Sequence, residues 1–282
     1  MLRKLIIFIT VLALASMACG FNINLPKRAQ PIPEVVEDIN LPYPKADSVN
    51  LKLSFGAGEM KLSPGASQLL DGTATYNYAE FKPKTAMDGG DIQVKMGDMS
   101  VATLPIFDNL KNKWDFKLGA QPMNLSIEAG AYDGTFEFGG LALTNLNIKD
   151  GAADVKLAFS APNPVELSVF SYSTGASDVK MEGLANANFS LFDFSSGAGD
   201  YTLDFSGTLQ RDASIKIGTG LSNLIIIVPE GVNAVIRVES GISNISAGPG
   251  WSQSGRVYKQ EGEGPTLTFV VEMGAGNLTL TR

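Results

Sequence analysis

Histidine is absent from the 282-residue chain, and cysteine occurs once, at Cys19. The first absence removes the imidazole base of serine and cysteine nucleophile triads and the usual ligand set of a catalytic zinc site. The second leaves no internal disulfide framework. Positive charge is in deficit too. With 22 Lys and Arg against 29 Asp and Glu, the chain carries a net charge of −7, opposite to the basic face with which proteins meet nucleic acid. After the amino terminus no apolar run reaches the roughly 20 residues that a spanning helix needs. No glycine-rich loop opens a helix in the Walker manner. Any catalysis would therefore rest on carboxylates, lysines and arginines.

What the chain has in abundance is a short phrase. A glycine is followed by a small or apolar residue, a spacer, and then Asp, Asn or Glu, and alternating apolar residues come next. It begins at Gly56, Gly130, Gly151, Gly175, Gly197, Gly220, Gly241 and Gly274. From Gly130 to Gly241 successive copies are 21, 24, 22, 23 and 21 residues apart. A fixed period of this size signals stacked units that bury their apolar faces only against one another. After the fourth place of the phrase, apolar residues alternate as Val155, Leu157, Phe159, as Tyr201, Leu203, Phe205 and as Leu224, Ile226, Val228. That is the period of a strand. The expected fold is all-β, a parallel β-solenoid resembling a β-helix, with coils of about 21–24 residues and two or three strands per coil. An antiparallel sandwich is the alternative that turn spacing alone leaves open. Glycine is expected to supply backbone turns with positive φ.

The ends read differently. Residues 1–19 combine Arg3 and Lys4, an apolar core from Leu5 to Leu14, and small residues before Cys19, which is an export signal. Ala15, Ala18 and Gly20 around Cys19 resemble the lipobox of bacterial lipoproteins, with Ser16 where leucine is usual. That resemblance implies lipidation of Cys19; a plain signal cleaved after Ala18, or an uncleaved anchor, is the other reading. Residues 20–48, with Pro26, Pro31, Pro33, Pro42 and Pro44, read as a semi-extended tether. Alternation starts at Val49, where Val49, Leu51, Leu53 and Phe55 share a face. The stretch from Met99 to Leu118 breaks the period and reads as an insertion. Residues 49–145 and 146–282 are taken as an amino-terminal β domain and a carboxy-terminal set of coils, with residues 249–265 projecting as a hairpin expected to cap the last strand.

The acidic places of the phrase offer the most chemistry. Asp133, Asp154, Asp178 and Asp200, stacked at one corner, would repel unless solvated, offset or bridged by a cation such as calcium. Asx turns that close each corner account for the same residues without a metal. Tyr76, Tyr78, Phe81, Trp114, Phe116, Trp251 and Tyr258 either fill the core or form a carbohydrate or partner surface, with Trp251 and Tyr258 the partner-binding candidates. No catalytic residue and no cofactor is assigned. A polysaccharide-active β-helix enzyme would need Asp193, Arg211 and Asp212 in one cleft.

The lipoprotein-like start, the proline-rich tether, the stretch LSFGAGEMKLSPGASQLLDGTATYN and the GxSN and GAGD phrases resemble the bacterial toast-rack family of unknown function. Residues 47–145 are similar to its amino-terminal domain, and the later coils to adhesin-like β-solenoids and to the carboxy-terminal domain of membrane regulators of the cell-wall antibiotic response. The resemblance implies a parallel β-stack on a lipid-anchored, extracytoplasmic envelope protein. Such a protein would act without catalysis in adhesion, scaffolding or sensing, through an envelope protein or polysaccharide. The family supplies no catalytic residue to carry over.

Overall fold

The structure is a computed structural model that describes residues 30–97 and 110–282. The export signal, Cys19, the first part of the tether and most of the expected insertion lie outside the described residues. The strands are β1 (Val35–Leu41), β2 (Asn50–Pro64), β3 (Leu70–Tyr76), β4 (Lys84–Asp88), β5 (Asp91–Lys95), β6 (Asn112–Leu118), β7 (Met123–Glu137) and β8 (Leu143–Ala158). They continue with β9 (Leu167–Glu182), β10 (Phe189–Asp204), β11 (Ala213–Ile227), β12 (Gly231–Ala247), β13 (Ser252–Ser254), β14 (Val257–Gln260) and β15 (Gly262–Thr281). All join one 15-stranded sheet, whose long central strands run parallel in the order β2, β7, β8, β9, β10, β11, β15, β12. The parallel solenoid-like architecture is therefore as expected, and the antiparallel sandwich is not formed.

Each coil differs in detail from the expectation. It is one strand of about fifteen residues that bends at its glycine phrase into two arms, in place of two or three separate strands. Register explains the phrase. Asp133 pairs with Asp154, Asp154 with Asp178, Asp178 with Asp200, and Asp200 with Asn223, so the bends lie directly above one another. The leading glycines are needed for close approach. A Cβ on Gly197 would lie 2.6 Å from the carbonyl oxygen of Gly175, and one on Gly274 2.6 Å from that of Gly220. Positive φ belongs instead to the third place of some copies, as at Gly199 (149°) and Gly276 (132°).

Inside the stack the two arms meet face to face. Leu51, Leu53, Val155, Leu157, Leu203, Ile226 and Leu280 are at most 1% exposed. Aromatic rings run along the axis from Tyr132 through Phe136, Phe138, Phe159 and Phe170 to Phe192, with centroids 4.6–6.2 Å apart. Such pairs contribute about 0.5–1.5 kcal/mol each beyond the area they bury. The connections that close each coil are irregular, and buried asparagines satisfy them. Asn163 donates to the carbonyls of Leu143 and Ala187 and accepts from the Leu143 N–H, while Asn186 donates to the Phe159 carbonyl and accepts from Thr208.

Three expectations need correction at the ends. The tether contains a strand: Val35–Leu41 pairs antiparallel with β3, burying Ile39 and Leu41, because its prolines flank an alternating segment without interrupting it. The end of the expected insertion is also a strand, since β6 pairs with β2 and β3 and places Trp114 and Phe116 in the core. Finally, β15 is an interior strand inserted between β11 and β12, so the β13–β14 hairpin caps β12 instead of the last strand. The sheet runs unbroken past residue 145, which lies within β8.

Candidate functional site

The bend creates the first candidate surface. Along the outside of the corner runs an open groove of about 670 Å³, floored by Gly58, Tyr132, Ala153, Ser177 and Gly199. One wall is the second place of the phrase (Ala131, Ala152, Ala176, Ala198), and the other carries Asp133, Asp154 and Asp178. The carboxylates share a column, about 4.8 Å from rung to rung. Among the described residues, no group of three or more His, Cys, Asp or Glu is placed to hold a metal ion, Asp133, Asp154, Asp178 and Asp200 included. Beyond Asp200 the column changes chemistry. Asn223 donates its amide to Asp200 at 2.7 Å, Asn277 donates to Asn223 at 2.7 Å, and Asn244 donates to Asn277 at 3.2 Å. From Asp200 to Asn244 the fourth place is thus a ladder between coils, where the sequence suggested Asx turns within each corner.

A second groove, of about 580 Å³, lies on the outer face of the arm before the bend. Asn50, Asn124, Asn145, Asn147, Gln93 and Ser126 line it above the buried Leu51, Ile92 and Leu125, and Ala86, Met87 and Asp88 of β4 close one end, with Met87, 45% exposed, as its main apolar side chain. Here too amides form a ladder ending on a carboxylate. Asn145 donates to Asn124 at 2.8 Å, Asn124 to Asn50 at 2.6 Å, and Asn50 to Asp91 at 2.7 Å. Thr144 also donates to Asn124 at 2.7 Å, which fills the two lone pairs of that amide oxygen, while each amide spends one N–H on the ladder and has a second for a ligand. Sequence reading missed this groove because Asn50 and Asn124 become neighbours only when β2 stacks on β7.

Beneath the corner lies a buried polar cluster, also missed. Tyr172 and Tyr132 donate their hydroxyls to Asp150 at 2.7 and 3.3 Å. Burial first and then Asp150 push Tyr132 up, against its hydrogen bond with Tyr172, which lowers it; burial first and then Tyr132 and Asp150 push Tyr172 up. The other oxygen of Asp150 is buried without a partner. The only sequence signal was the acid at the place that precedes Gly151, where the neighbouring coils carry Ala129 and Thr174.

The remaining candidates are dispersed. Tyr258 is 4% exposed, and Trp251 is half-buried against the same core, so both seal the end of the stack instead of standing on its surface. Asp193 sits in register with Lys216. Arg211 pairs with Glu166 at 2.6 Å and donates to Asn188, and Asp212 accepts the Thr266 N–H. The structure does not bring these three into one cleft.

Residues 30–169 match the model of the N-terminal domain of toast_rack, DUF2154. This half of the chain is a toast-rack domain. The match takes in β1 and ends inside β9, and the later strands continue the toast-rack ladder in register. Among solved structures, the chain is similar to a candidate cell adhesion protein from Clostridium sporogenes ATCC 15579, with TM-score 0.50, 17% identity, and coverage of 89% of this chain and 99% of that one. It is similar also to a candidate adhesin from Bacteroides fragilis NCTC 9343, at TM-score 0.37 and 11% identity over 90% of this chain and 99% of that one. A candidate lipid binding protein from Parabacteroides distasonis ATCC 8503 matches at TM-score 0.41 and 10% identity over 89% and 99%. At 17% identity the likeness to the Clostridium sporogenes structure is one of fold alone. No curated protein matches the sequence.

Proposed function

We propose that the protein is a lipid-anchored, extracytoplasmic β-stack that acts without catalysis, presenting its outer faces to an envelope protein or polysaccharide in adhesion, scaffolding or sensing. The observation that carries this reading is the pair of amide ladders on two outer faces. Eight bent strands in one register make a rigid surface about 35 Å long at the usual strand spacing, on which polar groups recur at every rung. A surface of that kind suits extended, multivalent contact more than enclosure of a small substrate. The fold shared with a Clostridium sporogenes structure named for cell adhesion supports the same direction. Photo-crosslinking side chains introduced at Asn147 and Gln93 in living cells test it. A discrete envelope protein or glycan product at both positions, missing from a control position at Lys156, is expected; no product above that control would overturn the reading. Anchoring is checked separately, by loss of metabolic lipid label in Cys19→Ala.

A further inference from the structure

The stack is sealed at one end and half-sealed at the other. At the amino-terminal end β6, β3 and β1 cover one arm, and β5 and β4 cover the other. At the opposite end β14 covers only the first arm of β12, over Ala234 to Arg237. Beyond the bend, Asn244 to Ala247 pair with β15 on one side, and among the described residues no strand lies on the other.

Two further observations show that this edge is built differently from the rest. The first is burial. In neighbouring rungs the two inward columns after the bend are closed, with Leu224, Leu278, Ile226 and Leu280 at most 1% exposed. In β12 the same columns hold Ile245, only half-buried, and Ala247, exposed. On the capped arm of that same strand, Ala234, Ile236 and Val238 are at most 1% exposed. The second is edge chemistry. Free edges are normally protected by charge, proline or shortness. β1 carries Glu37 and Asp38 between Pro33 and Pro42, β4 carries Lys84 and Asp88 after Pro83, and β13 has three residues. The segment from Gly241 to Gly248 has no charge and no proline.

We propose that this edge pairs with the same edge of a second copy of the chain, antiparallel about a two-fold axis through Ile245. That register sets Asn244 opposite Ser246 of the second copy on the outer face and the two Ile245 side chains together on the core side. The half-open core is then closed by its own kind, as a self-complementary two-fold interface requires. The amide ladder favours a neighbour here as well, because Asn244 donates inward to Asn277 and leaves its carbonyl oxygen facing the open edge. A strand from another protein that continued the parallel stack round the bend would need glycine at the corner, since the Gly241 carbonyl points outward as every corner carbonyl does. Short antiparallel pairing beyond the bend avoids that demand.

The test uses the full chain in detergent and in cells. Light scattering is expected to give a dimer. Ile245→Cys is expected to form a disulfide-linked dimer on mild oxidation, because directly opposed residues of an antiparallel pair lie about 4.5–5.5 Å apart at Cα, within the disulfide range. Lys156→Cys measures background, Cys19 included. The double variant Asn244→Lys, Ser246→Lys opposes lysines across both pairs and is expected to give a monomer that keeps the wild-type circular dichroism spectrum and a cooperative melt, showing that the fold survives. A wild-type chain that stays monomeric at about 100 µM would overturn the proposal. So would a dimer indifferent to the two lysines, or an Ile245→Cys chain that captures another protein but never a second copy.

Discussion

The corner glycines make a claim that one alanine can test. Gly197 lies mid-stack, flanked in register by the corners at Gly175 and Gly220, and its backbone is outside the left-handed region. Conformational strain is therefore not the issue. The added Cβ of Gly197→Ala would sit 2.6 Å from the Gly175 carbonyl oxygen and 3.5 Å from the carbonyl carbon. To reach ordinary contact the two rungs must part by nearly 1 Å at a point where both are fixed by parallel ladders, and the obstructing atom is backbone that cannot swing aside. Overpacking of this kind costs about 1–3 kcal/mol, against about 0.4–1 kcal/mol regained from the stiffer unfolded chain. The net loss is about 1–2 kcal/mol, or about 2–8 °C in melting midpoint for a chain of this size. Gly218→Ala is the control, two residues before the next corner, where a new Cβ meets nothing within 4 Å and φ is also ordinary. Its midpoint should be unchanged or slightly higher. Gly151→Ala, with 2.9 Å to the Gly130 oxygen, should fall between them. Thermal melts followed by circular dichroism decide the matter. If Gly197→Ala melts like Gly218→Ala, close approach is not what reserves these places for glycine.

Asp178→Asn should stabilise the fold by about 0.5–1 kcal/mol, since it removes a like charge set between Asp154 and Asp200 and adds an amide donor of the kind that Asn223 gives Asp200. The gain should shrink in about 1 M salt, where the Debye length is about 3 Å; a gain that ignores salt would assign it to the hydrogen bond alone. Tyr172→Phe leaves Asp150 with Tyr132 as its one phenol donor and should cost about 1–3 kcal/mol in urea denaturation, with Tyr172→Leu no better tolerated. Alkaline pH probes this cluster together with Tyr76, which donates to Glu37 at 2.9 Å. Burial and then Glu37 push Tyr76 up to about 12, and Tyr132 and Tyr172 are raised as well, so the unfolded chain loses phenol protons near pH 10 before the folded one does. The Tyr76 stabilisation is complete below pH 10 and is lost as pH rises toward 12, while that of Tyr132 and Tyr172 declines from pH 10 upward. A melting midpoint that is flat from pH 9 to 11.5 would contradict it. Deleting residues 262–282 should abolish cooperative unfolding in limited proteolysis, because β15 is the neighbour of both β11 and β12; retention of a protease-resistant core through β12 would show β15 to be dispensable.

How much of this was legible follows from what repeats. The corner was readable because its glycine, its acid or amide and its apolar alternation recur in every coil, so one physical demand leaves eight signatures. The core was readable for the same reason, and Val155, Leu157, Tyr201 and Leu224 are buried as their alternation implies. Features that occur once left no period to detect. Asp150 is a single substitution in a column of otherwise uncharged residues, and the strand at Val35 is an alternating segment framed by prolines that suggest a linker. The second amide ladder is hidden for another reason: Asn50 and Asn124 are 74 residues apart in the chain and one rung apart in space.

Stacking order is the part that a repeat cannot encode. Every rung offers two parallel edges that accept the same phrase in the same register, so the pattern specifies that a coil stacks but not on whom. Where connections are short, sequence neighbours become spatial neighbours, as from β7 to β11. The exception shows that connection length alone does not decide. Only Val228 to Glu230 join β11 to β12, yet β15 lies between those strands. The span is two sheet spacings, about 9.6 Å, and four extended peptide units cover about 13 Å, so a gap one strand wide is within reach. The hairpin of β13 and β14 then carries the chain back across the first arm of β12 and delivers β15 into that gap, where both of its edges are paired. The carboxy-terminal strand thereby escapes the exposed position, and β12 inherits it. The uncharged edge at Asn244 to Ala247 is thus a consequence of the crossover: a strand whose phrase was built for the interior is left outermost, with its glycine bend, its half-open inner face and its unmatched ladder still calling for a neighbour.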